Sequence, residues 1–234
     1  MRLLALDTAT EACSAALLVE GEVLERYEVA PRRHAELVLP MLESLLDEAG
    51  LSLSRLDALA FGRGPGAFTG LRIAAGVAQG IALGAELPVV PVSTLAALAH
   101  GAFRERGETA VLAGIDARMG EVYWGIYRGV EAGVMECVGE ECVCPPQVVP
   151  VPPGKGWFGA GTAWACHGEI LARRLGPRLA AWAGDSLPRA RDIAVLGAGL
   201  YRAGRAVDPA QALPVYLRDK VVAEKADATD RGRE

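Results

Sequence analysis

Three short apolar runs joined by tight links open this chain, and the change from these to longer helix-bearing connections limits its fold more than any other feature. Residues 3–8, 14–19 and 23–29 have strand length and strand composition, and Glu20-Gly21-Glu22 supplies a Gly-bearing turn between the last two. Links this short pair neighbours antiparallel, so the opening is a meander. Pro31 ends it, and Val38, Leu42, Leu45, Leu46 and Ala49 mark one face of a helix over residues 34–49, capped by Gly50. Pro40 is tolerated if that helix begins near Glu36 and kinks it otherwise. Next come a strand at 58–62, the turn Gly64-Pro65-Gly66, a small-residue helix from 68 to 84 and a strand at 89–92. A strand-helix-strand link of that length makes a right-handed crossover, so the sheet continues in parallel. The result is an α/β fold with a mixed sheet, distinct from the βαβαβ alternation of a dinucleotide-binding sheet.

A helix over 93–104 closes this half, and the polar stretch around Gly107-Glu108 reads as a joint. Beyond it lie a strand pair at 111–115 and 121–127, an irregular Cys/Pro-rich stretch at 142–154, a strand at 157–159, and helices at 163–175 and 190–203. The chain therefore divides into residues 1–106, residues 107–218, and a tail at 219–234 whose 9 charges in 16 residues predict mobility. With 51% hydrophobic and 23% charged residues it has the makings of a packed core. Its net charge of −5 draws it neither to phosphate backbones nor to anionic membrane, so any nucleic-acid role is local or acts through a partner. No apolar stretch is expected to reach the 18 or more residues of a membrane span. Asp7 interrupts the first apolar run before a signal-peptide core forms, and five cysteines, an odd number, fit reduced thiols, so a cytoplasmic location is expected.

Candidate chemistry concentrates in the first half. The segment Gly62-Arg63-Gly64-Pro65-Gly66-Ala67-Phe68-Thr69-Gly70-Leu71-Arg72 places a Gly-rich turn before a helix, where backbone N–H groups can hold a phosphate. It lacks the lysine of a P-loop, so a tight structural turn is the competing reading. Asp7-Thr8-Ala9-Thr10 ends the first strand with a carboxylate and two hydroxyls that either face a crevice or satisfy a turn. Asp7, Thr8, Thr10, Gly64 and Gly66 are thus the candidate nucleotide or phosphate contacts, and no catalytic residue is assigned. His34, His100 and His167 are too widely spaced to share a helix face, and Cys137, Cys142 and Cys144 lack C-x-x-C spacing, so no metal ligand set is expected.

The small-residue helix carries the sharper signal. Gly76, Gly80 and Gly84 recur every fourth residue, although each glycine inside a helix costs about 1 kcal/mol against alanine. Aligned on one face, they allow close approach either of a partner helix or of the chain's own sheet.

Together these residues resemble the TsaB (YeaZ) family. The likeness rests on Leu4-Ala5-Leu6-Asp7-Thr8-Ala9-Thr10, on Arg33-His34-Ala35-Glu36 with Leu39-Pro40, on Gly64 to Ile73, and on Pro214-Val215-Tyr216-Leu217-Arg218. The resemblance implies the actin/hexokinase/Hsp70-like (ASKHA) fold of two related lobes. It also implies a non-catalytic role in threonylcarbamoyladenosine modification of tRNA, beside a catalytic paralogue, TsaD. ATP and metal would belong to the partner subunits, which include the TsaE ATPase, and tRNA would be met only through the complex. A metal-binding His-x-x-x-His of TsaD-like proteins falls here on Thr94 and Leu98, and Ala9 replaces the glycine of an Asp-x-Gly-Thr phosphate loop. Tight ATP binding by this chain alone is therefore not expected.

The expected partner interface comprises His34, Glu36, Met41 and Leu45 on the first helix with Thr69, Arg72, Ile73, Gly76, Gly80 and Gly84 on the second. The same surface would make a homodimer in isolation, because related folds present the same helix pair. Two other functions compete: an M22-like peptidase acting on the paralogue, and a small-molecule kinase of the same fold.

Overall fold

The computed structural model describes residues 1–130 and 135–218, and the tail expected at 219–234 lies outside the described residues. Five strands form the first sheet: β1 (Arg2–Asp7), β2 (Ala12–Val19), β3 (Glu22–Val29), β4 (Ala58–Gly64) and β5 (Val89–Ser93). Their order is β3-β2-β1-β4-β5, with an antiparallel meander on one side and parallel strands on the other. The second sheet holds β6 (Ala110–Arg118), β7 (Glu121–Gly129), β8 (Met135–Cys137), β9 (Cys142–Cys144), β10 (Trp157–Ala160) and β11 (Leu179–Ala183). Its order, β8-β7-β6-β10-β11, repeats the first strand for strand, with β9 added along β7. This repeated mixed sheet is the two-lobed ASKHA arrangement.

Among the described residues five helices complete the layers: α1 (His34–Ala49), α2 (Phe68–Ala85), α3 (Thr94–Arg106), α4 (Thr162–Leu175) and α5 (Ala190–Arg202). α1 and α2 cover one face of the first sheet through Leu4, Leu6, Val38, Leu42, Leu45, Ala74 and Ala78. α5 covers the other face through Leu3, Ala5, Ile193 and Ala194. With both faces covered, β1 is apolar without alternation, as buried parallel strands are. α3 lies against the second sheet through Leu95, Leu98 and Ala99, and α4 covers that sheet's far face beside Trp124, Trp157 and Trp164.

Several boundaries and placements depart from the sequence reading. α1 begins at His34, so Pro40 is its seventh residue, and the helix continues through it. β8, β9 and β11 escape the sequence reading, β9 within the stretch read as irregular, since three-residue strands and a run containing Ala-Ala carry little strand signal. α5 comes after the joint in sequence yet packs on the first sheet, while α3 precedes the joint and packs on the second. The two helices therefore cross between the lobes. Asp192 of α5 bonds His100 Nδ1 at 2.7 Å and Arg104 of α3 at 3.0 Å. Burial works to raise the Asp192 carboxyl, but these bonds outweigh it and hold it below the usual carboxylate range. Finally, α2 has 18 residues at a mean hydropathy of 1.2, which meets the length and composition of a membrane span, contrary to expectation. Alanine and glycine raise that average while adding little apolar surface, and the alanine face lies on the first sheet.

Candidate functional site

The Asp7 to Thr10 turn and the Gly-rich turn are pressed together. Ala67 N donates to Ala9 O at 2.8 Å, and Thr8 Oγ1 donates to Gly70 O at 2.7 Å. A Cβ at Gly66 would stand 2.4 Å from Ala9 O, and one at Gly70 would stand 1.9 Å from Thr8 O. These glycines exist for backbone approach. The tight-turn reading is the one the geometry supports, because the N–H groups of Ala9 and Ala67 are committed to protein acceptors. Gly64 has φ 104° and lies against Val215 O, and Val215 N donates to Arg63 O at 2.7 Å. The C-terminal motif thus closes over the same turn.

Asp7 is fully buried beneath this junction. Oδ1 accepts from Ala9 N at 3.1 Å, while Oδ2 has no partner among the described residues, and a Cβ at Gly62 would sit 1.8 Å from it. Burial pushes the carboxyl up to about 7, against the single backbone bond that pulls it down. The hydroxyls of Thr10 and Thr94 are also buried without partners among the described residues. Thr94 and Leu98 are both buried, Leu98 among the apolar side chains of the second lobe, so the place of a TsaD-like metal pair offers no imidazole and does not fit a metal.

A cavity of about 870 Å³ opens between the lobes. Thr8, Thr10 and Gly66 line it, as do His34, Thr69 and Ile73, whereas Asp7 and Gly64 do not. The second lobe contributes Asp116, Arg118, Thr162 and Cys166. Arg118 bridges the mouth, bonding Asp116 at 3.1 Å and Glu11 of the first lobe at 3.3 Å.

On the outer side, α2 divides cleanly. Ala74, Ala75, Ala78 and Ala82 are buried on the sheet, while Thr69, Arg72, Gly76, Gly80 and Gly84 are exposed along one face. Among the described residues, a Cβ at Gly76, Gly80 or Gly84 would meet nothing within 4 Å. The chain's own sheet therefore gives no reason for these glycines. Ile73 and Met41 are half-buried, and Glu36 is exposed at the start of α1. Two expected interface residues need correction. Leu45 is wholly buried in the core, and His34 is buried with Nε2 2.9 Å from Thr10 O, because α1 turns their positions inward. Sequence reasoning missed the stack at the head of this face, where Arg72 lies 3.8 Å over the Phe68 ring and Tyr216 packs on Phe68 at 5.3 Å. The contact joins residues far apart in the chain, with Arg72 and Tyr216 separated by 144 positions, and only the motif containing Tyr216 hinted at it.

Two lobes of repeated topology around a cleft define an ASKHA-type protein, here with its glycine turn packed on the Asp7 to Thr10 turn and a bare helix face outside. A family model described as TsaD, tRNA N6-adenosine threonylcarbamoyltransferase, matches residues 25–225. The chain is 45% identical to the tRNA threonylcarbamoyladenosine biosynthesis protein TsaB of Escherichia coli strain K12, covering 96% of this chain and 98% of that protein. The TsaB of Haemophilus influenzae is 40% identical, with coverages of 96% and 97%. Among solved structures, YeaZ from Pseudomonas aeruginosa superposes with a TM-score of 0.87 at 53% identity, covering 92% of this chain and 99% of that one. This chain belongs to the TsaB (YeaZ) family.

Proposed function

We propose that this chain acts in tRNA threonylcarbamoyladenosine biosynthesis as a non-catalytic scaffold, pairing with a TsaD-type catalytic paralogue through the outer face of α2 and the exposed side of α1. The observation that carries this reading is the open space over Gly76, Gly80 and Gly84. Three glycines weaken an exposed helix by about 1 kcal/mol each, and a partner helix seated on them supplies the missing reason. In this reading ATP and metal belong to the partners, the TsaE ATPase joins the assembly, and tRNA is met through the complex. The isolated chain self-associates through the same face in the cytoplasm. The peptidase and kinase alternatives would need a reachable reacting group, and the buried position of Asp7 argues against both.

The test is co-purification with the paralogue, followed by a threonylcarbamoylation assay with and without this chain. Gly80→Leu should abolish co-purification and modification together while leaving the fold intact by circular dichroism. A Gly80→Leu chain that still pairs and supports modification would refute the proposal.

A further inference from the structure

The chain carries a net charge of −5, yet its positive charge is unevenly placed. Arg106, Arg128, Lys155, Arg173, Arg174 and Arg178 are all exposed, and none is in an ion pair among the described residues. Topology gathers them at one end of the second sheet. The cleft lies at the other end, beside Asp116 late in β6 and Thr162 at the start of α4. β10 runs parallel to β6 and β11 parallel to β10, so Trp157 and Leu179, side by side at their starts, lie away from the cleft. Arg178 precedes Leu179, and Lys155 comes two residues before Trp157. β7 is antiparallel to β6 and brings Arg128 opposite Ala110, while α3 and α4 both end here with Arg106, Arg173 and Arg174 in their last turns.

Several of these cations are fixed in place. Arg128 lies 4.9 Å over the Trp157 ring on one face of the sheet, and Arg106 lies 5.6 Å over the Phe158 ring on the other. Arg174 donates to Val149 O at 3.3 Å. Lys155 stands between Gly154 and Gly156, at φ 82° and 81°, so the backbone turns around an exposed lysine. Helix dipoles give the three last-turn arginines a reason to be here, but not Arg128 on a strand or Lys155 on a turn. Carboxylates at this end are fewer: Glu136 opposite Arg128, Glu108 after α3, and Glu169 one turn before Arg173. Glu105, next to Arg106 in sequence, is taken by Arg104.

An excess of unpaired cations wrapped around the end of a sheet fits a row of phosphates, whose repeating charge is met by several point contacts at once. We propose that this end of the second lobe holds the phosphodiester backbone of RNA. The inference rests on the proposed function only in naming that RNA as tRNA. The glycine face belongs to α2 over the first sheet, so one chain can meet the paralogue and tRNA together.

Binding of a tRNA transcript by the full chain, followed by fluorescence anisotropy across a salt series, tests this. At about 50 mM salt the isolated chain should bind with a Kd of about 10⁻⁴ M or tighter, and log affinity should fall with log salt at a slope of about −4 to −5. Lys155→Glu/Arg173→Glu/Arg178→Glu changes three exposed side chains and should leave the melting curve in place. It should weaken binding at least about tenfold and flatten the slope by about 2 to 3. Arg55→Glu/Arg202→Glu/Arg205→Glu makes the same change in net charge on the first lobe and should stay within about threefold of the parent. In the complex with the paralogue, the second-lobe variant should lose tRNA by a similar factor while still co-purifying. A parent chain that binds no tRNA at about 50 mM salt would overturn the inference. So would a second-lobe variant that binds like the parent, or first-lobe changes that weaken binding as much. A second-lobe variant that keeps tRNA and loses the paralogue would also overturn it, and would make this end a seat for an acidic protein face. Failure of the proposed function reads out separately, as a Gly80→Leu chain that still pairs.

Discussion

The two lobes share one strand order but are filled by different chemistry. The first packs many small and aliphatic side chains, with Ala74, Ala75, Ala78 and Ala82 laying α2 close to its sheet. The second relies on a few large ones, and Trp124, Trp157 and Trp164 are its largest fully buried side chains. Where the first lobe has α1 between β3 and β4, the second has an irregular stretch with β9 and a single 3-10 turn. Small residues leave the first lobe's outer surface smooth and approachable, whereas tryptophans turn the second lobe inward. The same topology thus separates a lobe suited to meeting another protein from a lobe that holds itself together.

Four substitutions would break or sharpen this contrast. Trp164 is buried, bonds Leu112 O through Nε1 at 3.0 Å, and fits over Gly159, where a Cβ would lie 2.3 Å from its ring. Trp164→Ala should cost about 3–5 kcal/mol in denaturant unfolding, and a loss below about 1 kcal/mol would mean that the tryptophans do not carry the second lobe.

Next comes Asp7→Asn at the closed turn. The folded pKa of about 7 lies above the ordinary aspartate value of 3.8, so the native state favours the protonated acid. Stability is therefore fullest below about pH 4, falls as pH rises toward 7, and levels off above it. The variant should be the more stable of the two at about pH 8, by up to about 4 kcal/mol, and no different at about pH 4. An advantage of equal size at both pH values would rule out burial of the charge as its cause.

The smallest effect contrasts glycines. Gly80→Ala fills open space and should stabilise by about 1 kcal/mol. Gly197→Ala would bring a Cβ to 2.8 Å from Ala60 Cβ beneath α5 and should cost about 1–3 kcal/mol. Melting curves that shift in the same direction for both would erase the distinction between a glycine kept for packing and one kept for an outer partner.

Much of the first lobe was legible because its signals are local. The meander, α1 with Gly50 at its left-handed cap, and the helix beginning at Phe68 arise from periodicity and capping within a few residues. The candidate site was legible only in part. Gly76, Gly80 and Gly84 announce themselves by spacing, but nothing in a helical wheel says whether they face the sheet. Leu45 lies on the apolar face that the spacing itself marks, whereas His34 at the helix start carries no such signal. The meeting of Asp192 with His100 and of Tyr216 with Phe68 joins residues far apart in the chain, which leaves no local pattern.

By itself, the amino-acid order determined which of the longer segments are strands and helices, how the first meander pairs, and that one helix bears an aligned row of glycines, because each depends on neighbours along the chain. Only the tertiary structure decided that α3 and α5 exchange lobes, that the glycine turn is shut against Thr8 and Ala9, and that the row faces outward. Those outcomes rest on which buried surfaces find one another across long stretches of chain, and that choice is settled by packing the whole molecule at once.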